Sequence, residues 1–203
     1  KIQKEYMDNH PHHIPMLFMM DVIHGFRTIF PIPLALGCSF NPDLVGEAMK
    51  MSAREAVAGG VQVTFTPMVD YVRDARWGRV METCGEDVLL NSVMGAAQVK
   101  AFQGDGDYAN NKEIMATCVK HFAAYGGAEA GRDYAQVELS EHILREFYLP
   151  AYKACIDAGT EMLMPSFNVL NGVPAVANKW LMRTILRDEW NFDGLVISDY
   201  NAI

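Results

Sequence analysis

Five short apolar runs recur along the chain, and each stops at a polar or ionisable residue. They cover 16–20 before Asp21, 61–69 before Asp70, 114–119 before Lys120, 162–164 before Ser166, and 195–197 before Ser198. Their apolarity is continuous rather than alternating, which indicates that both faces of each strand are covered. The runs therefore predict buried, parallel strands.

Four helical stretches separate these runs, and their ends carry capping signals. Asn41 and Pro42 are typical of an N-cap followed by a first-turn proline, and Gly59 is expected to end that helix. Three further helices are expected over 87–103, 140–159 and 178–190. Pro150 lies inside the third helix and predicts a kink there, because proline lacks the backbone donor that the helix needs.

The alternation of strand and helix predicts an α/β fold with a parallel sheet, right-handed crossovers and outer helices. A (β/α)8 TIM-like barrel is favoured over a doubly wound sheet, since no segment has the glycine-rich pattern of a nucleotide-binding turn. Only five strands are visible, and typical barrels need ~250 residues. We therefore expect residues 1–203 to be an incomplete barrel whose start and end lie outside this sequence.

Composition and charge narrow the classes of function. The 203 residues are 50% hydrophobic, enough for a substantial core and too apolar for a disordered chain. With 25 acidic against 17 basic residues, the net charge is -8, so no nucleic-acid partner is expected.

The apolar runs are too short to cross a membrane. The chain begins at Lys1 with no apolar signal core, so a fragment of a longer protein is expected, and any export signal is expected to lie outside this sequence.

The cysteines and a histidine-rich segment could bind metal, but we interpret neither as a metal site. The four cysteines have no close pair and predict buried free thiols rather than disulfides or a zinc site. The segment His10-Pro11-His12-His13 follows a polar stretch instead of a buried strand, which favours an exposed loop over a metal site.

Polar side chains at the carboxyl ends of barrel strands are candidates for catalysis. Asp199 follows a buried run directly, and such a fixed carboxylate suits a nucleophile, although a turn or capping aspartate is the alternative. Lys120 and His121 end another run, and both can serve one site only where the backbone departs from the pleat; a solvated strand end is the alternative. Trp77 among three arginines suits either hydroxyl recognition or a surface loop of Arg–Asp pairs.

Seven motifs, in order and at compatible spacing, carry a resemblance to a known family. They occupy 20–25, 67–70, 76–79, 85–87, 120–125, 171–175 and 196–199. Together they resemble the N-terminal barrel domain of glycoside hydrolase family 3, and closely its branch of bacterial periplasmic β-glucosidases. The resemblance covers essentially the whole chain. It implies that 1–203 is part of one (β/α)8 domain, followed in the full protein by a C-terminal α/β-sandwich domain.

The resemblance implies a retaining, exo-acting β-glucosidase that removes terminal non-reducing β-D-glucosyl residues from oligosaccharides or aryl and alkyl β-glycosides. Asp199 would be the nucleophile that forms a covalent glycosyl-enzyme, as retention of configuration requires. The implied substrate-binding residues are Asp21, Arg79, Lys120, His121, Arg132, Met164 and Tyr200. No metal or organic cofactor is implied.

The general acid/base is implied to be a glutamate of the C-terminal domain, so this fragment alone is expected to be inactive. Glu82, Glu86 and Glu129 are interpreted as caps or salt-bridge partners. The resemblance also implies a periplasmic or secreted protein and leaves a homodimer open.

Two departures from the family pattern keep alternatives open. Phe167 stands where many members have a tyrosine that reaches the nucleophile, and Tyr200 stands where many have tryptophan. They allow a non-catalytic carbohydrate-binding barrel.

A β-xylosidase of the same family is the nearer alternative, although Asp21 favours glucose because many xylosidases carry glutamate there. The N-acetylhexosaminidase branch is disfavoured, since the loop 125–134 lacks its histidine. A metal-dependent barrel hydrolase is a third option.

Overall fold

A five-stranded parallel sheet forms the centre of the computed structural model, which describes all residues from 1 to 203. The seven strands are β1 (Met19–Met20), β2 (Val63–Thr64), β3 (Ala116–Phe122), β4 (Met162–Pro165), β5 (Val169–Leu170), β6 (Val173–Pro174) and β7 (Leu195–Val196). The sheet order is β1-β2-β3-β4-β7, and β5 and β6 form a separate antiparallel hairpin. The predicted α/β class with a parallel sheet is confirmed.

Each of the five parallel strands lies within its apolar run or overlaps it, but β1 and β2 are much shorter than predicted. In β2 the ladder stops before Pro67, which has no N–H to donate. The Pro67 carbonyl still accepts from the Lys120 N–H at 3.0 Å. The backbones of the second and third runs therefore stay side by side up to the residues that carry the chemistry.

The chain forms seven helices, of which α3 and α4 begin at the residues that the sequence predicted. They are α1 (Ile2–Asn9), α2 (Pro33–Gly37), α3 (Pro42–Ala58), α4 (Val88–Gln103), α5 (Glu141–Ile143), α6 (Pro150–Asp157) and α7 (Trp180–Glu189), the last of which has the wider hydrogen-bonding pattern of a π-helix. Asn41 caps α3 by accepting from the Leu44 N–H at 3.1 Å, and Asp87 caps α4 by accepting from the Leu90 N–H at 2.7 Å. No helix combines the length and the apolarity needed to span a bilayer.

The helix predicted from Ser140 is interrupted, which confirms the effect of Pro150. It consists of α5, a wide π-type turn over Leu144–Tyr148, and then α6, which starts at Pro150. Proline cannot donate to the preceding turn, so the chain restarts the helix at that residue. Neither α1 nor α2 was expected from the sequence. Helix α1 buries no residue, and α2 has only five residues.

The main core lies between the sheet and the helices α4, α6 and α7, and it contains Phe122, Tyr152 and Leu163. Helix α4 approaches the sheet closely because Gly95 has no side chain: a Cβ there would lie 2.7 Å from Val69.

All four cysteines are free thiols, as predicted. Cys84, Cys118 and Cys155 are buried, whereas Cys38 is exposed, contrary to the expectation of buried thiols. It follows the short α2 at the surface, an element that the sequence did not predict. Burial raises the pKa of Cys84 and of Cys118 to about 12.

Candidate active site at the carboxyl ends of the strands

Strand β3 brings Lys120 and His121 to one place. Its register against β4 shifts between Lys120, which pairs with Met164, and Phe122, which pairs with Pro165. The peptide bond between Lys120 and His121 is cis. Both side chains are buried. The register shift shows that the strand departs from the regular pleat between these residues. Two successive side chains can therefore serve one site here, which is the condition stated in the sequence analysis.

Asp21 and Lys120 form an ion pair across two strands. The Lys120 Nζ lies 2.6 Å from Asp21 Oδ1, and the Lys120 side chain is 6% exposed against 56% for Asp21. Asp21 follows β1, so the pair joins the carboxyl ends of β1 and β3. The ammonium has further protons to donate, and the open face of the carboxylate can accept from a ligand hydroxyl.

His121 lies between two carboxylates. Its Nδ1 is 2.9 Å from Asp70 Oδ2, and its Nε2 is 3.4 Å from Asp199 Oδ2. The Asp199 side chain is 16% exposed, so it is neither fully buried nor free in solvent. Its Oδ1 accepts the backbone N–H of Tyr200 at 2.6 Å. The structure thus places Asp199 in one cluster with the Lys-His pair.

Arg79 is fixed beside this cluster by two hydrogen bonds to Glu82, at 2.7 and 2.9 Å. Its guanidinium also lies over the Tyr125 ring, 5.6 Å from the centroid. Burial by itself lowers the pKa of Arg79, but the Glu82 carboxylate outweighs burial and raises that pKa above its ordinary value. Glu82 is therefore a salt-bridge partner, as the sequence predicted.

The arginine-tryptophan motif separates into a surface part and a buried part. Arg76 binds Asp74 at the surface through contacts of 2.6 to 3.1 Å, and this arginine lowers the pKa of Asp74 to about 2. Trp77 is buried, packs edge-on against Tyr125 and donates its indole N–H to Asp133 at 2.9 Å. The pair of Arg76 and Asp74 thus fits the alternative of a surface loop tied by Arg–Asp pairs, while Trp77 packs inside the domain.

The other predicted site residues differ in how close they come to the cluster. Met164 is buried in β4, next to Cys118 and Met162. Tyr200 is 83% exposed and directly follows Asp199. Arg132 is exposed and pairs with the equally exposed Glu129 at 3.8 Å, rather than with a carboxylate of the cluster.

Phe167 contributes to an aromatic cluster beside the site. Its ring centroid is 6.4 Å from that of His121, 5.8 Å from that of Tyr125 and 5.2 Å from that of Tyr134. The Phe167 ring therefore forms an apolar surface beside His121, at the position where many family members have tyrosine.

Sequence reasoning did not include Asp70 and Tyr152 among the site residues. The Tyr152 hydroxyl lies 2.9 Å from Asp70 Oδ1 and 2.6 Å from the His121 carbonyl oxygen. Asp70 had a signal, since it ends an apolar run and closes one of the seven motifs. Tyr152 had none, because it is one aromatic residue on the buried face of a helix.

A large concavity lies elsewhere. It measures about 720 Å³ and is lined by residues at the amino ends of the strands, including Val63, Ala116, Met162 and Leu195. Enzymes of barrel type place their chemistry at the opposite ends. The cluster around Asp199 is therefore the stronger candidate for the active site.

Comparison with known proteins decides the family. The model of the glycosyl hydrolase family 3 N-terminal domain matches residues 1–203. The chain belongs to glycosyl hydrolase family 3. Within it, the chain is 49% identical over 190 residues to a periplasmic beta-glucosidase of Salmonella typhimurium, covering 94% of this chain. It is 38% identical over 182 residues to a beta-xylosidase of Formosa agariphila, covering 89% of this chain.

Solved structures of this glycosyl hydrolase family agree with the fold. The crystal structure of a beta-glucosidase from Listeria innocua in complex with glucose superposes with a TM-score of 0.97 at 55% identity, over 99% of this chain and 28% of that chain. The chain spans about a quarter of the two curated relatives, 25% of each. The architecture of the family 3 N-terminal domain is therefore shown over the residues described.

Proposed function

We propose that this chain carries the nucleophile and the sugar-binding side chains of a retaining β-glycosidase, with a preference for terminal non-reducing β-D-glucosyl residues. The observation that carries the proposal is the position of Asp199. Its carboxylate lies 3.4 Å from His121 Nε2, at the carboxyl end of β7 and beside the pair of Lys120 and Asp21. Similarity to the Salmonella and Listeria beta-glucosidases supports the choice of sugar.

The side chains of the cluster suit the two halves of this reaction. A carboxylate oxygen of Asp199 attacks the anomeric carbon while an acid protonates the departing glycosidic oxygen, which leaves a glycosyl ester on Asp199. Water then attacks the ester and releases the sugar with its configuration retained. Lys120 donates to sugar hydroxyls and Asp21 accepts from them, as charge-assisted hydrogen bonds that hold the ring against Asp199, and Nε2 of His121 is a further polar contact for a hydroxyl.

The proposed general acid/base is a glutamate of a further domain of the intact protein. The carboxylates around Asp199 have other partners: Asp21 pairs with Lys120, Glu82 pairs with Arg79, and Asp70 is buried and hydrogen-bonded. A general acid must reach the leaving oxygen and carry a proton to it. None of these three fulfils that condition. The proposal therefore includes an intact protein that completes the barrel and adds an α/β-sandwich domain.

A β-xylosidase is the second candidate for the same site, because of the similarity to the Formosa beta-xylosidase. The two sugars differ by the 6-hydroxymethyl group, and the half-exposed Asp21 offers an acceptor for an additional hydroxyl. We expect the intact protein to release nitrophenol faster from the β-glucoside than from the β-xyloside. A reversed ratio of kcat/KM would assign the site to xylose.

Export to the periplasm is a further part of the proposal, supported by the name of the Salmonella relative. Fractionation of cells that express the intact protein tests it. Glucosidase activity released by osmotic shock supports export, and activity retained with cytoplasmic markers contradicts it.

Covalent trapping tests the proposed reaction directly. We expect a 2-deoxy-2-fluoro β-glucoside with a good leaving group to inactivate the intact protein and to label the peptide that contains Asp199. The matched control is Asp199→Asn, which should bind glucose and remain unlabelled. Binding of the sugar with no adduct on the wild type would instead favour a carbohydrate-binding barrel, and an adduct on a different carboxylate would refute the assignment of the nucleophile.

A further inference from the structure

Asp70 is a buried carboxylate that the proposed reaction does not use. It is 1% exposed and ends the run that contains β2. Its Oδ2 lies 3.0 Å from the backbone nitrogen of His121 and 2.9 Å from Nδ1 of the same residue. Its Oδ1 lies 2.9 Å from the Tyr152 hydroxyl. A buried carboxylate is costly unless it is hydrogen-bonded, and here three donors surround it.

The contact with Asp70 determines that Nδ1 of His121 carries a proton. An ionised carboxylate only accepts hydrogen bonds, so Nδ1 donates to Oδ2. The ring is then held with Nε2 directed at Asp199, 3.4 Å away. Both the backbone N–H and the ring N–H of His121 meet the same oxygen. Asp70 therefore fixes the main chain and the side chain of His121 together.

Tyr152 holds this arrangement from the side of helix α6. Its hydroxyl is 2.6 Å from the carbonyl oxygen of His121 and shares its single proton between that oxygen and Asp70. The residue is fully buried, and burial raises its pKa well above the ordinary value, so the hydroxyl stays protonated. Helix α6 is thereby coupled to the residue that faces the nucleophile.

We propose that Asp70 and Tyr152 are positioning residues for the glycosidase reaction, which act by holding the His121 ring so that Nε2 addresses Asp199 and the adjoining sugar hydroxyl. The inference rests on the proposed function. Neither residue contacts the sugar. They affect the rate only through the position of His121. A misplacement of about 1 Å in a side chain at the reacting centre can cost roughly 100-fold in rate.

The geometry predicts that asparagine can replace Asp70 and leucine cannot. In Asp70→Asn the amide oxygen can take the place of Oδ2 and accept both hydrogen bonds of His121. The amide N–H2 then faces the Tyr152 hydroxyl, which still donates to the His121 carbonyl. Asp70→Leu has a similar size but offers no acceptor, so it leaves the His121 donors unpaired.

The first measurement is kcat and KM of the intact protein on a dinitrophenyl β-glucoside. We expect Asp70→Asn to stay within about tenfold of the wild-type kcat and Asp70→Leu to lose about 100-fold, with a smaller change in KM. Thr117→Val is the matched control for a loss of buried hydrogen bonds, since Thr117 lies at the amino end of β3 and binds Gln103 and Thr160. It should lower the melting temperature and leave kcat unchanged.

A double-mutant cycle with His121→Ala separates positioning from a general structural effect. If Asp70 acts through His121, Asp70→Leu should cause little further loss in the His121→Ala background. The same 100-fold loss in both backgrounds would overturn the inference. If Asp70→Leu does not fold, Tyr152→Phe takes its place in the cycle, with the same reading. Trapping on Asp199 in the wild type tests the proposed function separately, so its failure is distinguishable from a failure of the cycle.

Discussion

The indole N–H of Trp77 donates to Asp133 Oδ1 at 2.9 Å and thereby joins the loop that follows β2 to the loop that follows β3. The first of these loops carries Arg79, and the second follows the Lys-His pair. Trp77 is buried and Asp133 is exposed, so the hydrogen bond ties an outer residue of the second loop to an anchored residue of the first. The two loops are therefore held together at this point.

Removing this hydrogen bond should destabilise the domain. We expect Trp77→Phe to lower the free energy of unfolding by about 1–3 kcal/mol, from the lost hydrogen bond and the smaller ring together. Urea denaturation of the intact protein measures it. Asp133→Asn is the control, since its amide oxygen can still accept from the indole and the loss should be smaller. Equal stability of Trp77→Phe and the wild type would contradict this role.

A side chain at Gly126 should disrupt the same loop. A Cβ there would lie 2.2 Å from the carbonyl oxygen of Tyr71, which is backbone and cannot rotate away. We expect Gly126→Ala to cost about 1–3 kcal/mol or more in the free energy of unfolding. At Gly78, in the loop after β2, a Cβ meets nothing within 4 Å, so Gly78→Ala serves as the control. Similar melting temperatures for the two variants would show that the loop adjusts freely.

Loss of the Lys120 ammonium should impair the reaction more than the fold. Hydrogen bonds to charged groups contribute about 1.5–3 kcal/mol, so we expect Lys120→Met to lower kcat/KM on an aryl β-glucoside roughly 10- to 100-fold. Asp21 is half-exposed and can bind water when its partner is removed. Lys50→Met removes an exposed lysine that pairs with Glu47 and should leave kcat/KM unchanged. Equal effects of the two substitutions would remove Lys120 from the site.

The buried thiols should react differently from Cys38. Burial raises the pKa of Cys84 and Cys118 from 9.0 to about 12, so these groups stay protonated and unreactive in the folded protein at pH 8. We expect iodoacetamide, read out by peptide mapping, to label Cys38 in the native state and all four cysteines after denaturation. Rapid native labelling of Cys84 would contradict its burial.

The same two thiols predict a loss of stability in alkali. Unfolded thiols ionise near pH 9.0, whereas the folded ones hold their protons up to about pH 12. Their contribution to stability is therefore complete below pH 9 and is lost as the pH rises through 12. Denaturation midpoints measured from pH 8 upward test this, with Cys84→Ser as the variant expected to flatten the dependence.

Much of the scaffold could be predicted from the sequence because its signals are local. The continuous apolar runs predicted the five parallel strands, and Asn41, Asp87 and Pro150 marked helix boundaries through the hydrogen bonds that their own side chains or rings make or forbid. Its place at the end of such a run made Asp199 a candidate, and the resemblance supplied the role of nucleophile. The two-residue lengths of β1 and β2 could not be predicted. A strand ends where the adjacent strand no longer supplies backbone hydrogen-bond partners, and those partners come from distant parts of the sequence.

The sequence by itself determined the family, through the resemblance that its seven motifs carry. It also determined the parallel architecture and the places of Asp21, Lys120, His121 and Asp199 at the strand ends, because an apolar run and the polar residue that ends it are local properties of a segment. Only the tertiary structure decided which distant residues meet. Asp70 and Tyr152 are 82 positions apart, and they touch because helix α6 packs across the end of β3. Such contacts arise from the packing of one segment on another, which no local pattern encodes.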